Sequence, residues 1–515
     1  MFFTKRNSLV RFLLLLLFSL TIHLSSGANI ISANQSLSGD NTIISQGGQF
    51  ELGFFKAGNS SKYYIGIWYE KVSSNPPTIV WVANRETPIS DRFRSELKII
   101  DGNLVLLNES KSQIWSTNVT TTLNSSTALI RDDGNLVLID SSNSVEPFWE
   151  SFDHPTHTWL PGAKLGYNNR KKTSQVLTSW RSKEDPGVGL FSLELYPSSK
   201  EYVSKWNGSQ QYWRSGAWNG NSFDLVPEMR LDNIFNYSYN TNENESYFTY
   251  SVYNPSIISI FIMDVSGQVQ QLAWLDNAKE WILVWFEPTT QCDVYALCGS
   301  FGTCRQSGPS FCNCLTGFKP RSESEWNQSD FSSGCVRKTN LQCGRNVEKP
   351  DFLMISVKSL PPNNSVAFGS AGECRTTCLN SCSCNAYSFV DNQCLVWDGD
   401  LLNLSEDNDN DSGKTIFVKV ASKDLPHHKK INWVTVGAVV GSVGDEAESR
   451  PAMSLVERIL EGVSDVSMPP IPQIVTLYVE NMLDPVFFTD SCSIECSLVH
   501  SNSTGGGSQS KGSSS

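Results

Sequence analysis

Twelve of the fourteen cysteines in this chain fall between Cys292 and Cys394, and no other feature narrows the fold so far. In order they are Cys292, Cys298, Cys304, Cys312, Cys314 and Cys335, then Cys343, Cys374, Cys378, Cys382, Cys384 and Cys394. Segments this short between cysteines cannot bury a large apolar core, so they are expected to be closed by disulfides formed in an oxidising compartment. Spacing alone leaves the pairing open. Zinc is the rival reading of the Cys-x-Cys steps, but it belongs to reducing compartments.

The amino terminus agrees with export. Lys5, Arg6 and Arg11 precede the apolar run Phe12 to Leu20, and small residues follow at Ser25, Ser26, Gly27 and Ala28. This reads as a cleavable signal peptide over 1–27, because the apolar run is well short of the ~20 residues of a membrane span. Twelve Asn-x-Ser/Thr acceptors lie between residues 34 and 410, at Asn34, Asn59, Asn108, Asn118, Asn124, Asn207, Asn236, Asn244, Asn327, Asn363, Asn403 and Asn410. They predict a glycosylated extracellular surface. The net charge of -12 argues against nucleic acid as a partner, since polyanion binding relies on clustered Lys and Arg.

Fifteen Trp, fifteen Tyr and twenty-six Phe with only 18% charged residues suit pleated, half-buried surfaces, so the chain is read as mainly β. Between 28 and 147, apolar stretches such as Gln49 to Phe55, Tyr64 to Tyr69, Ile79 to Val82 and Leu104 to Leu107 alternate with Gly, Asn and Asp turns. Asp101-Gly-Asn-Leu-Val105 returns as Asp133-Gly-Asn-Leu-Val137, a weak internal repeat in which each copy places a tight turn ahead of a strand.

This segment resembles the bulb-type lectin domain, a β-prism. Its sugar motif, Gln-x-Asp-x-Asn-x-Val-x-Tyr, implies hydrogen bonds to mannose hydroxyls, with the Val against the sugar ring. The resemblance carries that role to Asp101, Asn103 and Val105, and to Asp133, Asn135 and Val137. Here, however, Ile99 and Leu107 stand at the Gln and Tyr positions of the first copy, and Arg131 and Ile139 at those of the second. Turns that close a prism are therefore the preferred reading over a working mannose site.

From 148 to 287 a second all-β unit is expected, with strands at Val176 to Trp180, Gly189 to Tyr196 and Ser246 to Tyr253 and a turn at Asp185-Pro-Gly187. His154 and His157 have no third ligand nearby in sequence, so no metal is assigned. The strings Ser179-Trp-Arg-Ser-Lys-Glu-Asp-Pro-Gly187 and Tyr212-Trp-Arg-Ser-Gly-Ala-Trp-Asn-Gly220 closely resemble the S-locus glycoprotein domain of plant S-domain receptor kinases. Core packing is the preferred role for Trp180, Trp213 and Trp218.

The cysteines of 288–335 resemble an EGF-like module, which implies Cys292–Cys304, Cys298–Cys312 and Cys314–Cys335. Calcium is not expected, since Glu287-Pro-Thr-Thr-Gln291 offers a single carboxylate. Those of 343–422 resemble a PAN/apple domain, a short helix stapled to a small sheet, which implies Cys374–Cys394, Cys378–Cys384 and Cys343–Cys382.

A full-length receptor of this resemblance would next cross the membrane. The apolar segment at 431–443 reaches only about 20 Å at 1.5 Å per residue, against a hydrocarbon core of about 30 Å. Its basic residues also lie on the wrong side for a type I receptor. Residues 445–515 resemble the last helix and tail of a protein kinase, a helical remnant, and Cys492 and Cys496 within it receive no role. No Gly-rich phosphate loop, Val-Ala-Ile-Lys, His-Arg-Asp or Asp-Phe-Gly string occurs. The expected function is a non-catalytic receptor-like ectodomain without cofactors, in plant cell-surface signalling such as self-recognition of pollen or defence. It would bind an extracellular peptide or glycan, or pair as a homo- or heterodimer with full-length S-domain receptor kinases. The alternatives are a receptor serine/threonine kinase whose catalytic domain is missing from this sequence, and a mannose-binding lectin acting alone.

Overall fold

The computed structural model describes residues 29–425, apart from 121–124, 141–145, 228, 230–233, 307–309, 342–348, 363–364, 368 and 407–412. The signal segment 1–27, the short apolar run 431–443 and the kinase-like remnant 445–515 lie outside the described residues.

Twelve strands build the first unit. They are β1 (Ile30–Ser32), β2 (Ser36–Leu37), β3 (Thr42–Ile44), β4 (Phe50–Lys56), β5 (Tyr63–Tyr69), β6 (Ile79–Val82), β7 (Glu96–Ile100), β8 (Asn103–Leu107), β9 (Gln113–Ser116), β10 (Ser126–Ile130), β11 (Leu136–Asp140) and β12 (Trp149–Glu150). They form three antiparallel four-stranded sheets, ordered β1-β10-β11-β12, β2-β7-β8-β9 and β3-β4-β5-β6. Alternation puts one face of each sheet inward. Leu52, Ile67, Leu97, Leu104, Leu106 and Ile130, none more than 1% exposed, meet in one core. Trp149–Glu150 pairs with β11, so this unit runs past the boundary read at 147.

The second unit repeats the architecture, which periodicity alone did not reveal. Its strands are β13 (Thr158–Trp159), β14 (Leu165–Asn168), β15 (Thr173–Ser174), β16 (Val176–Ser182), β17 (Asp185–Tyr196), β18 (Glu201–Trp206), β19 (Gln210–Arg214), β20 (Phe235–Thr241), β21 (Glu245–Val252), β22 (Ser259–Met263), β23 (Val269–Leu275) and β24 (Glu280–Glu287). Again three four-stranded sheets result: β13-β22-β23-β24, β15-β14-β21-β20 and β16-β17-β18-β19. The expected turn at Asp185-Pro-Gly187 is corrected. Those residues begin β17, Ser182 pairs with Asp185, and Lys183-Glu184 makes the reversal.

The cysteine-rich stretch folds as two small ladders, β25 (Gly302–Cys304) with β26 (Cys312–Cys314), and β27 (Phe318–Pro320) with β28 (Cys335–Arg337), around a one-turn helix α1 (Glu323–Asn327). It is followed by β29 (Pro350–Val357), β30 (Ser365–Ala367), α2 (Ala371–Asn380), β31 (Ala386–Val390), β32 (Gln393–Trp397), β33 (Leu404–Ser405) and β34 (Lys414–Ala421). The five-stranded sheet β29-β34-β31-β32-β30 carries α2. β33 leaves that sheet and pairs parallel with β25, so the two modules share a ladder as well as a core. α2 is short, and its ends explain why it forms. Ser370 and Glu373 make a capping box, and Cys374 and Cys378 lie four residues apart on the buried face.

Candidate functional site

At the first lectin-like copy, Asp101 (φ 47°) and Gly102 (φ 79°) form a two-residue turn joining β7 to β8. Two successive positive φ values match the right-handed twist of a hairpin, and Asp-Gly is suited to both. The Asn103 amide is then occupied locally. Its Oδ1 accepts from the Val119 N–H (2.7 Å) and the Thr117 hydroxyl (2.9 Å), and its Nδ2 donates to the Val119 carbonyl (3.2 Å). Val105 is 3% exposed.

The second copy is closed the same way. Asn135 Nδ2 donates to Glu150 (2.7 Å), and its Oδ1 accepts from the Ser151 hydroxyl (3.1 Å) and the Phe152 N–H (3.3 Å). Asp133 accepts from the Asn135 N–H, and Val137 is fully buried. Gly134 (φ 87°) sits where a Cβ would come within 2.7 Å of Leu160. The two asparagine amides are thus engaged at strand ends, Asp133 accepts within its own turn and the apolar positions lie under protein, while Asp101 is exposed.

The Ser179–Gly187 string, read at first as a signature, lies where the two prisms meet. Arg85 of the first prism extends its guanidinium to backbone carbonyls of the second, with Nε donating to Pro186 (2.7 Å) and a terminal nitrogen to Ser179 (2.6 Å) and Thr178 (3.1 Å). Burial pulls the Arg85 pKa down to about 10, which leaves it charged at neutral pH. Tyr64 donates to Asp185, the Val188 N–H donates to Glu86, and Trp281 Nε1 reaches back to Thr78 (2.8 Å). Ile260 and Trp274 of the second prism complete the first prism's core.

Both histidines belong to this seam. His154 stacks on Trp149, with centroids 5.3 Å apart. His157 Nδ1 accepts from Trp180 Nε1 (3.0 Å), and the ring also hydrogen-bonds the Ile79 backbone. Burial, helped by the Arg85 charge, lowers its pKa to about 3. A neutral imidazole with both nitrogens engaged is a packing group. Among the described residues no set of three or more His, Cys, Asp or Glu could hold a metal. In the second string, Trp213 and Trp218 pack against the second prism's core, and Tyr212 donates to the Gly267 carbonyl.

Sulfur bonds join Cys292 to Cys304, Cys298 to Cys312, Cys314 to Cys335, Cys374 to Cys394 and Cys378 to Cys384. Cys382 is also disulfide-bonded, while Cys343 lies outside the described residues. Arg337 ties the two modules together. It donates to the Lys419 carbonyl and Asn385 and lies 5.2 Å from the ring centroids of both Phe301 and Phe318. Of the acceptor asparagines, Asn34, Asn59, Asn118, Asn207, Asn236, Asn244 and Asn327 are exposed. Asn108 and Asn403 are half-buried and use Oδ1 to accept backbone N–H groups, and Asn124, Asn363 and Asn410 lie outside the described residues.

Two three-sheet β-prisms, a disulfide-closed module and a helix-on-sheet module define the class: a multidomain, mainly β, disulfide-rich chain. Comparison with known proteins gives the family. The D-mannose binding lectin family matches residues 78–181, the S-locus glycoprotein domain 213–322 and the PAN-like domain 343–404. A G-type lectin S-receptor-like serine/threonine-protein kinase of Arabidopsis thaliana is 45% identical over 438 residues, 82% of this chain and 52% of its own length. An S-locus-specific glycoprotein of Brassica oleracea is 36% identical over 417 residues, 77% of this chain and 92% of its own. The chain belongs to the S-locus glycoprotein and S-receptor-like kinase family. It spans about half the length of the kinase relatives, and the part it matches is their lectin-type ectodomain. No helix among the described residues is long and apolar enough to cross a membrane.

Proposed function

We propose that the chain acts by binding and not by catalysis: an exported, glycosylated ectodomain that recognises a peptide, a glycan or a partner receptor. The observation that carries this reading is the match over 92% of an S-locus-specific glycoprotein, a relative whose name gives it no kinase. The rest supports it. The 288–335 segment, taken as EGF-like, and the PAN-like sheet share a core and a ladder, and the two prisms share a core, so partners would meet a stiff surface. A copy with no kinase motif would compete with full-length relatives for ligand or for receptor pairing.

The test is to express the tagged chain in plant cells, recover it from medium and from membranes, and assay it with labelled ATP and a generic protein substrate. Recovery with glycan attached and no label transfer is expected; phosphate transfer by the purified chain would overturn the proposal. The half-length match to the kinase relatives favours a second reading, a kinase whose catalytic part is absent here. Sequencing the transcript across the codons for Val443 and Gly444 separates the two, because an intervening kinase reading frame would establish the second.

A further inference from the structure

We infer that the glycan borne by Asn403 is a built-in part of the fold, its innermost N-acetylglucosamine units filling the cleft between the second prism and the PAN-like module. The inference deepens the reading of an exported, glycosylated chain and rests on it. The cleft has a volume of about 360 Å³, within the size range of small-molecule sites. The second prism and the start of the cysteine-rich stretch line it with Trp213, Glu287 and Asp293, and the PAN-like module lines it with Lys358 and with Asn403 and Ser405. The acceptor string Asn403-Leu404-Ser405 therefore opens into the cleft, whereas Asn207 and Asn244 sit in exposed turns between paired strands.

The asparagine is set for attachment. Asn403 has φ 59°, and its Oδ1 accepts from the Ala296 N–H (3.2 Å), which fixes the side chain. Among the described residues its Nδ2 has no hydrogen-bond partner, and it is not one of the buried unpaired atoms, so it keeps open surface. In the transfer, Nδ2 forms a bond to the anomeric carbon of a lipid-pyrophosphate oligosaccharide. The bond from that carbon to the pyrophosphate oxygen breaks, the lipid pyrophosphate leaves, and the amide gives up one proton. The product keeps Oδ1 and one Nδ2–H, so the hydrogen bond to Ala296 survives. The wall suits a sugar, which has apolar C–H faces and a hydroxyl rim. Trp213 offers a half-buried ring. Asp293 and Lys358 are exposed and make no ion pair or side-chain hydrogen bond with described residues, which leaves an acceptor and a donor for hydroxyl and acetamido groups. Transfer takes place on the unfolded chain, so the sugars are in position before the modules close on them.

The test uses the full chain exported from plant cells grown with a mannosidase inhibitor, so that every glycan stays oligomannose and is a substrate for endoglycosidase H, which cuts within the inner sugar pair. Site-by-site glycopeptide mass spectrometry should show cutting at Asn403 of the native chain about tenfold slower than at Asn207 and Asn244, and equal rates after denaturation. Ser405→Ala removes the acceptor string and keeps Asn403. Hydrogen exchange at Trp213 and from Thr289 to Asp293 should then rise about tenfold, and Ser405→Thr, which restores the string, should return it to the original value. Digestion of the unaltered chain decides the matter even if a variant does not fold. A bare Asn403 beside occupied Asn207 and Asn244 would overturn the inference and leave the exported, glycosylated reading standing, whereas bare asparagines throughout would overturn both. Equal cutting of the native chain at the three sites, or exchange unmoved by loss of the glycan, would also overturn the inference.

Discussion

At Asn135 an amide only 2% exposed holds Glu150, Ser151 and the Phe152 backbone at once, so its removal should be felt by the fold before any ligand notices. Asn135→Ala leaves several buried groups unpaired and should lower stability by about 2 kcal/mol in denaturant titration, with mannoside binding on a glycan array no weaker than that of the unaltered chain. His157 gives a pH signature. Its folded pKa of about 3 lies below the ordinary 6.5, so the unfolded chain takes up the proton first. Its neutral burial is without penalty above pH 6.5, and stability falls as pH drops from 6.5 toward 3, by roughly 1.4 kcal/mol per pH unit. His157→Gln should flatten that dependence between pH 6.5 and 5, read from urea midpoints of the prism transition. An unchanged slope would show that the ring is not buried as described. The turn role of Asp101-Gly102 was legible in sequence because Asp-Gly announces a type I′ hairpin. The roles of Asn103 and Asn135 were not, because their partners are set by strand ends brought together only by folding.

Among elements, the period-2 strands were legible almost to the residue, as with Ile79–Val82 and the limits of β5. The repetition of the prism was not. Its second copy carries no Asp-Gly-Asn and fills its interior with Trp, Tyr and Phe, so the three-sheet plan survives without a shared residue pattern. Nor was the seam legible, because Arg85 is held by backbone carbonyls some 93 to 102 residues away, and carbonyls leave no mark in a sequence. Arg85→Met should cost about 2 to 3 kcal/mol through the lost charged hydrogen bonds. Hydrogen exchange should then rise along Thr178 to Gly187 first, whereas exchange confined to the first prism would argue against a seam role. In the last module, joint Cys374→Ser and Cys394→Ser closes no loop of about twenty residues and should cost about 3 kcal/mol, measured on the PAN-like sheet.

At the largest scale, prisms joined at a buried arginine and small modules joined at Arg337 place the described residues within one compact unit. The cysteine-rich stretch was legible from its spacing, whereas the way it is tied together was not, since Arg337 acts there through ring stacking and a backbone acceptor. The measurement that bears most directly on the whole account is peptide mapping of the exported native chain by mass spectrometry without reduction. The account predicts linked pairs Cys292–Cys304, Cys298–Cys312, Cys314–Cys335, Cys374–Cys394 and Cys378–Cys384, with glycan on exposed acceptors such as Asn207 and Asn244. Free thiols at those positions together with bare asparagines would contradict it.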